Sequence, residues 1–135
     1  MNRAEPGGLD VRAVTRGAVT GLCWVVPATV LNAAARAADA DTLVYGCFLL
    51  ILLGFAFAGF VAARPPCDRP LQHAAAAGLA TFGAVQGVLI VIILARGDTP
   101  TPVGIVFLAL LAACSGMLGG LLAGRSPRPA TRPRR

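Results

Sequence analysis

The sequence predicts an all-α, polytopic membrane protein with four transmembrane helices, and three observations predict it. Of 135 residues, 56% are hydrophobic and only 13% charged, against about 45–50% and about 25% in an ordinary soluble domain, so the chain has too little polar surface to face water on all sides. Uncharged apolar stretches run from Gly17 to Ala35, Leu43 to Ala63, Ala74 to Ala95 and Val103 to Ala123, each close to the roughly 20 residues that cross a hydrocarbon core about 30 Å thick. None shows the alternation of a transmembrane β-barrel strand. Even the β-branched patch from Val88 to Ile93 stays helical in lipid, where every backbone amide needs a partner within its own segment. The length fits one four-helix domain over 1–124 followed by a basic tail over 125–135, with no segment left for a separate soluble catalytic unit.

In the first span, Gly17 and Gly21 lie in the half nearer the N-terminus and Pro27 sits at the centre. Proline removes a donor and collides with the carbonyl four residues back, that of Cys23, so a kink and a free acceptor are expected at mid-membrane depth. Upstream arginines and the Ala33-Ala34-Ala35 stretch also fit a cleaved signal peptide, which would leave three spans. Against that alternative, the stretch is longer than the usual apolar core of about 7–15 residues.

The second span carries Gly54, Ala58 and Ala62 toward its C-terminal end. The third changes character along its length: Ala74 to Ala84 is small except for Leu79 and Phe82, whereas Val85 to Ala95 is mostly Val, Leu and Ile. The fourth carries Gly116, Gly119, Gly120 and Gly124. Small residues four apart let helix backbones approach closely and associate without a hydrophobic drive. Gly17, Gly21, Gly54, Gly116 and Gly120 are therefore the expected packing positions, and the bundle is expected to be tightest at the end that carries both termini.

Arginine placement orients the chain, because cytoplasmic flanks hold an excess of basic residues. Arg3, Arg12 and Arg16, then Arg64 and Arg69, then Arg125, Arg128, Arg132, Arg134 and Arg135 share one side. Only Arg36 and Arg96 lie on the other, offset by Asp39, Asp41 and Asp98. Both termini are expected in the cytoplasm of a bacterial inner membrane, with two very short external loops. Lysine is absent beside heavy use of Ala, Arg, Gly and Pro, the coding bias of a GC-rich genome, and an actinobacterium-like host fits it.

The chain also reads as a tandem duplication of a two-helix hairpin. At an offset of 61, Gly59-Phe-Val-Ala-Ala-Arg64-Pro-Pro66 falls on Gly120-Leu-Leu-Ala-Gly-Arg125-Ser-Pro127, and Gly21-Leu22 matches Gly78-Leu79 more loosely. Two-span copies keep the same orientation, so they would be related by an axis along the membrane normal. Shared composition of alanine-rich helices with basic stops is the simpler account of the same match.

Chemistry is scarce. No Asp, Glu, Lys, Arg or His lies well within a span, whereas proton relays and coupled transporters place such groups in the bundle interior. The small multidrug exporters share the four-helix layout, but their membrane-embedded glutamate has no counterpart here. The polar residues that remain are Gln86 and Thr81 in the third span, Ser115 in the fourth and Thr20, Thr29 and Asn32 in the first. Gln86 is placed to satisfy the Cys23 carbonyl or to reach Ser115, as interhelical glue worth about 0.6 kcal/mol. Cys23, Cys47, Cys67 and Cys114 have no CxxC spacing and lie at different depths, so they do not read as a zinc site. The three in helices read as small buried apolar residues, while Cys67, in the loop, is a candidate for palmitate. His73 is alone at the start of the third span and reads as solvated and interfacial. No catalytic, cofactor-binding or metal-binding constellation is expected. The tail, basic and rich in proline, reads as disordered and as attracted to anionic lipid; topology and lipid already account for its charge without nucleic acid.

Arg16-Gly17 opening the first span, with Gly59 to Arg64 and Gly119 to Arg125 closing the second and fourth, resembles small uncharacterised four-helix bacterial membrane proteins over nearly the whole chain. That resemblance implies the topology and brings no activity with it. Two functional classes follow from the residues: a non-enzymatic small subunit or accessory of a larger envelope assembly, working through a membrane protein partner, or a homo-oligomeric pore or small-solute channel of the holin type.

Overall fold

A computed structural model of the chain describes residues 8–64 and 69–125. They form four α-helices, α1 (Val11–Ala37), α2 (Asp41–Ala62), α3 (Pro70–Ala95) and α4 (Pro102–Arg125), and no strand. All four are long and apolar enough to cross a membrane; the chain is an all-α, multi-pass membrane protein. Loop residue Cys67 and residues 126–135 of the basic tail lie outside the described residues.

Three helices outrun the apolar stretch that announces them, because lipid sets the length of a span while caps set the length of a helix. Asp10 is the N-cap of α1, its carboxylate accepting from the amides of Arg12 at 2.9 Å and Ala13 at 3.4 Å. The helix thus begins well before Gly17 and takes in Arg12 and Arg16. Pro70 opens α3, where its fixed φ and missing donor suit the first turn. Both short loops close in the same way. After α1, Asp39 takes a left-handed φ of 52° while the Asp39 and Ala40 amides donate to the carbonyls of Arg36 and Ala35. After α3, Gly97 takes φ 80° and the Gly97 and Asp98 amides donate to Leu94 and Ile93. Each is a Schellman motif, which satisfies carbonyls that a helix end otherwise leaves bare.

In cross-section the bundle is a rhombus. The α2 and α3 helices each pack against the other three, whereas the α1 and α4 backbones never come within 8 Å of one another. A two-fold axis that exchanged the hairpins would make the α1–α4 pair equivalent to the α2–α3 pair. The packing has no such relation and does not show a tandem duplication of the hairpin.

Buried positions crowd toward the end that carries both termini, here the terminal end, and thin out toward the short-loop end. In α3 they are His73, Ala74, Ala77, Gly78 and Thr81, with none beyond; in α4 they are Ala112, Gly116, Gly119, Gly120 and Ala123. Backbones touch there. A Cβ built on Gly59 of α2 would overlap the Gly116 carbonyl of α4, and one on Gly119 would overlap the Ala56 carbonyl of α2. Only 22–28% of the most apolar stretch of each helix is buried, and exposed Leu, Val and Phe cover the rest. Such a surface belongs in lipid, since a helix that is apolar all round finds no water-facing side.

Candidate functional site: a cavity in the short-loop half

On each helix the inward-facing stripe changes size along its length. In α3 it runs Ala74, Ala77, Gly78, Thr81 and continues, at the same i+3 and i+4 spacing, as Phe82, Val85, Gln86 and Leu89. In α2 the sequence of sizes runs the other way along the chain, from Phe48, Ile51, Leu52 and Phe55 to Ala58, Gly59 and Ala62. Helices held in backbone contact at the terminal end leave, at the other end, a gap that large side chains bridge without filling. There a cavity of about 180 Å³ opens among all four helices. Phe55 and Phe82 meet across its wall edge to face, with centroids 6.4 Å apart, an arrangement aromatic pairs favour.

The polar residues at this cavity come from two helices. Val25, Thr29, Asn32 and Arg36 form one stripe of α1, and Gln86 faces it from α3. The Thr29 hydroxyl donates to the Val25 carbonyl at 2.8 Å, within its own helix, the usual way a membrane threonine satisfies itself. Asn32 differs: its side-chain oxygen is buried and has no hydrogen-bond partner among the described residues.

The register of α1 and α3 spaces these groups. Gly17 lies beside Ala77 and Gly21 beside Thr81, which puts Gln86 level with Val26, about 9 Å below Asn32 at about 1.5 Å per residue. Arg36 is one turn above Asn32, at the mouth, and exposed. From mouth to floor the cavity therefore offers the Arg36 cation, the Asn32 acceptor with no partner among the described residues, the Gln86 amide and, at the floor, the Phe55–Phe82 pair.

Gln86 and Ser115 are not brought together. Gly78 packs on Ala112 and Gly116, and Ala74 on Gly116 and Gly120. In this antiparallel register Gln86 is level with Val106, about nine residues or about 13 Å along the bundle from Ser115. Nor does Gln86 reach the Cys23 carbonyl. Cys23 and Pro27 are exposed, about half a turn round α1 from the cavity stripe, and α1 runs through Pro27 without interruption. Mid-span position in two helices did not fix their relative register; the contacts between small residues did.

The packing glycines make the following contacts. Gly17 and Gly21 lie on Ala58 of α2, Gly54 on Val25 of α1, Gly116 on Ala74 and Gly78 of α3, and Gly120 on Ala74. Gly124, the last glycine of α4, is exposed with nothing within 4 Å of its would-be Cβ, because it lies about 100° round the helix from Ala123, which packs with Ala63 and Ala74. Gly59 and Gly78, which the sequence offers as repeat positions, also lie at backbone crossings, Gly59 on the Gly116 carbonyl and Gly78 on the Ala112 carbonyl of α4. Thr81 is fully buried, its hydroxyl donating to Ala77 at 2.8 Å and reaching the Ala18 carbonyl of α1 at 3.4 Å.

Two expectations are corrected. His73 is buried, 4% exposed, rather than solvated, because the N-terminus of α1 folds over it. Of the three helical cysteines only Cys47 is buried, while Cys23 and Cys114 are exposed on the surface of the bundle, since a helix with one packed face leaves most of its positions outside. Among the described residues no three His, Cys, Asp or Glu side chains converge as metal ligands.

Comparison of the chain with protein-family models, with curated proteins and with solved structures finds no match in any of the three.

Proposed function

We propose that the protein is a non-enzymatic small subunit or accessory of a larger envelope membrane assembly, set in a bacterial inner membrane with both termini cytoplasmic, and that it works by receiving a transmembrane helix of its partner. One observation carries this reading. Because α1 and α4 stand apart, the outward face of α2 forms the floor of an entirely apolar groove of about 420 Å³, with Gly54 and Gly119 in its lining and Trp24, Leu53, Phe57, Phe60 and Leu122 around them. An aromatic ladder runs along it. Trp24 meets Phe57 edge to face at 6.4 Å, Phe57 stacks on Phe60 at 6.4 Å, and the Arg64 guanidinium lies 5.0 Å above the Phe60 ring. Trp24 is 61% exposed at mid-span, away from the interfacial depth where membrane tryptophans concentrate, and aromatic anchors of this size dominate protein contacts.

Orientation in this proposal rests on the arginines, and the tail adds anionic lipid as a second contact at about 1 kcal/mol per arginine. Mild-detergent purification with mass spectrometry is expected to recover a fixed, larger membrane partner, lost in Trp24→Ala and Phe57→Ala variants that still fold. Lethal, conductive self-assemblies on expression, with no such partner, would instead make the protein a homo-oligomeric pore. Labelling of Cys67 by an impermeant maleimide from outside intact cells would overturn the orientation.

A further inference from the structure

We propose that the cavity in the short-loop half binds a small, uncharged, apolar molecule that carries a hydroxyl group, the hydroxyl donating to the side-chain oxygen of Asn32. The reading starts from an imbalance. A buried amide oxygen without a partner carries an uncompensated desolvation cost, and the oxygen of Asn32 has no partner among the described residues. An apolar side chain of similar shape would avoid that cost, and the rest of the wall is apolar: Val25, Phe55, Phe82 and Leu89 among others.

Size narrows the class. At about 180 Å³ the space is comparable to the engineered apolar cavity of about 150 Å³ that admits benzene, so a single ring or a short alkyl chain fits and a folded polar metabolite does not. Charge narrows it further, because no acidic or basic group lines the interior below Arg36 and an unpaired ion would not be carried into it. The acceptor sets the remaining feature. The oxygen is the half of the Asn32 amide that lacks a partner among the described residues, and it can only receive a hydrogen bond; an alcohol or phenol supplies the missing donor as the side chain turns toward it, whereas a ketone, ether or hydrocarbon of the same shape would leave that oxygen bare. Two natural sources share that chemistry: a phenolic ring such as a quinol head group, and a lipid alcohol.

The full chain in lipid nanodiscs, titrated with 4-fluorophenol and with fluorobenzene and followed by ligand-observed fluorine NMR against protein-free nanodiscs, tests this. Saturable binding of the phenol is expected, about tenfold tighter than that of fluorobenzene. Asn32→Leu is expected to bring the two ligands to equal affinity, and Val85→Phe, which fills the cavity from α3, to abolish binding of both. Competition by 1-heptanol points to a lipid alcohol as the natural source, and competition by unlabelled phenol with none by heptanol points to a ring. Equal binding of both probes by the unaltered chain, binding that survives Val85→Phe, or a phenol signal no greater than that of protein-free nanodiscs overturns the proposal. If Asn32→Leu does not fold, the Val85→Phe comparison and the phenol-to-fluorobenzene ratio decide it.

Discussion

The backbone amide of Asp10 donates to Nε2 of His73 at 2.8 Å, tying the start of α1 to the start of α3. An amide N–H can only donate, so Nε2 is the acceptor and Nδ1 carries the proton, which it gives to the Arg69 carbonyl at 2.9 Å. One imidazole thus links the N-caps of two neighbouring helices, while the Asp10 carboxylate caps α1 itself. The ring is sheltered from solvent by that same turn.

Replacing His73 tests the link. His73→Ala removes both bonds from a buried position and is expected to lower stability by about 1–3 kcal/mol. His73→Gln keeps an acceptor near the Nε2 position and is expected to recover roughly half. Reversible unfolding in mixed micelles measures both, and equal losses would show that the Asp10 contact contributes nothing.

Close backbone crossings predict an asymmetry among glycines. Gly59→Ala and Gly119→Ala put a methyl group on the carbonyls of Gly116 and Ala56, and overpacking of this kind costs about 1–3 kcal/mol. Gly83 and Gly87 have nothing within 4 Å of an added Cβ; alanine there is expected to raise stability by about 0.5–1 kcal/mol, since glycine weakens a helix interior. The same unfolding assay separates the two groups by sign.

The two Schellman turns respond oppositely to substitution. Asp39 holds φ 52° with a side chain present, and Gly97 holds φ 80° without one. Asp39→Gly is expected to leave stability unchanged or raise it by up to about 1 kcal/mol, and Gly97→Ala to lower it by about 1–2 kcal/mol, the usual cost of a side chain in the left-handed region.

Thiol reactivity reports the packing directly. With Cys67→Ser as background, a membrane-permeant maleimide is expected to label Cys23 and Cys114 in the folded protein and to spare Cys47, which is 2% exposed, until denaturant is added. Labelling of Cys47 at the rate of the other two would contradict the arrangement of α2 against α1.

Much of this protein is legible in one dimension. Four apolar stretches near 20 residues specify four helices, because hydrocarbon leaves the backbone no other way to bond. The change from Ala74–Ala84 to Val85–Ala95 already marks where helices can close and where they cannot. What periodicity leaves open is which backbone each small residue meets. The run from Gly116 to Gly124 offers four glycines, and only the crossing angle and register decide that Gly116, Gly119 and Gly120 are buried and Gly124 is not. Register also parts Gln86 from Ser115, two mid-span polar residues that no sequence rule could order.

The arrangement of neighbours is likewise tertiary. The apolar pattern is equally compatible with a square of four helices; contact at Gly59 and Gly116 draws α2 and α4 together, α2 and α3 take the short diagonal, and α1 stands clear of α4. From that choice follow the groove beside Trp24 and the cavity beneath Arg36. Local chemistry therefore determined which segments are helical and which ends pack, because both depend on side-chain size and polarity along one chain. Only the folded bundle decided that the side-chain oxygen of Asn32 is buried without a partner among the described residues and that His73 is held by Asp10, because each depends on where a second helix lies.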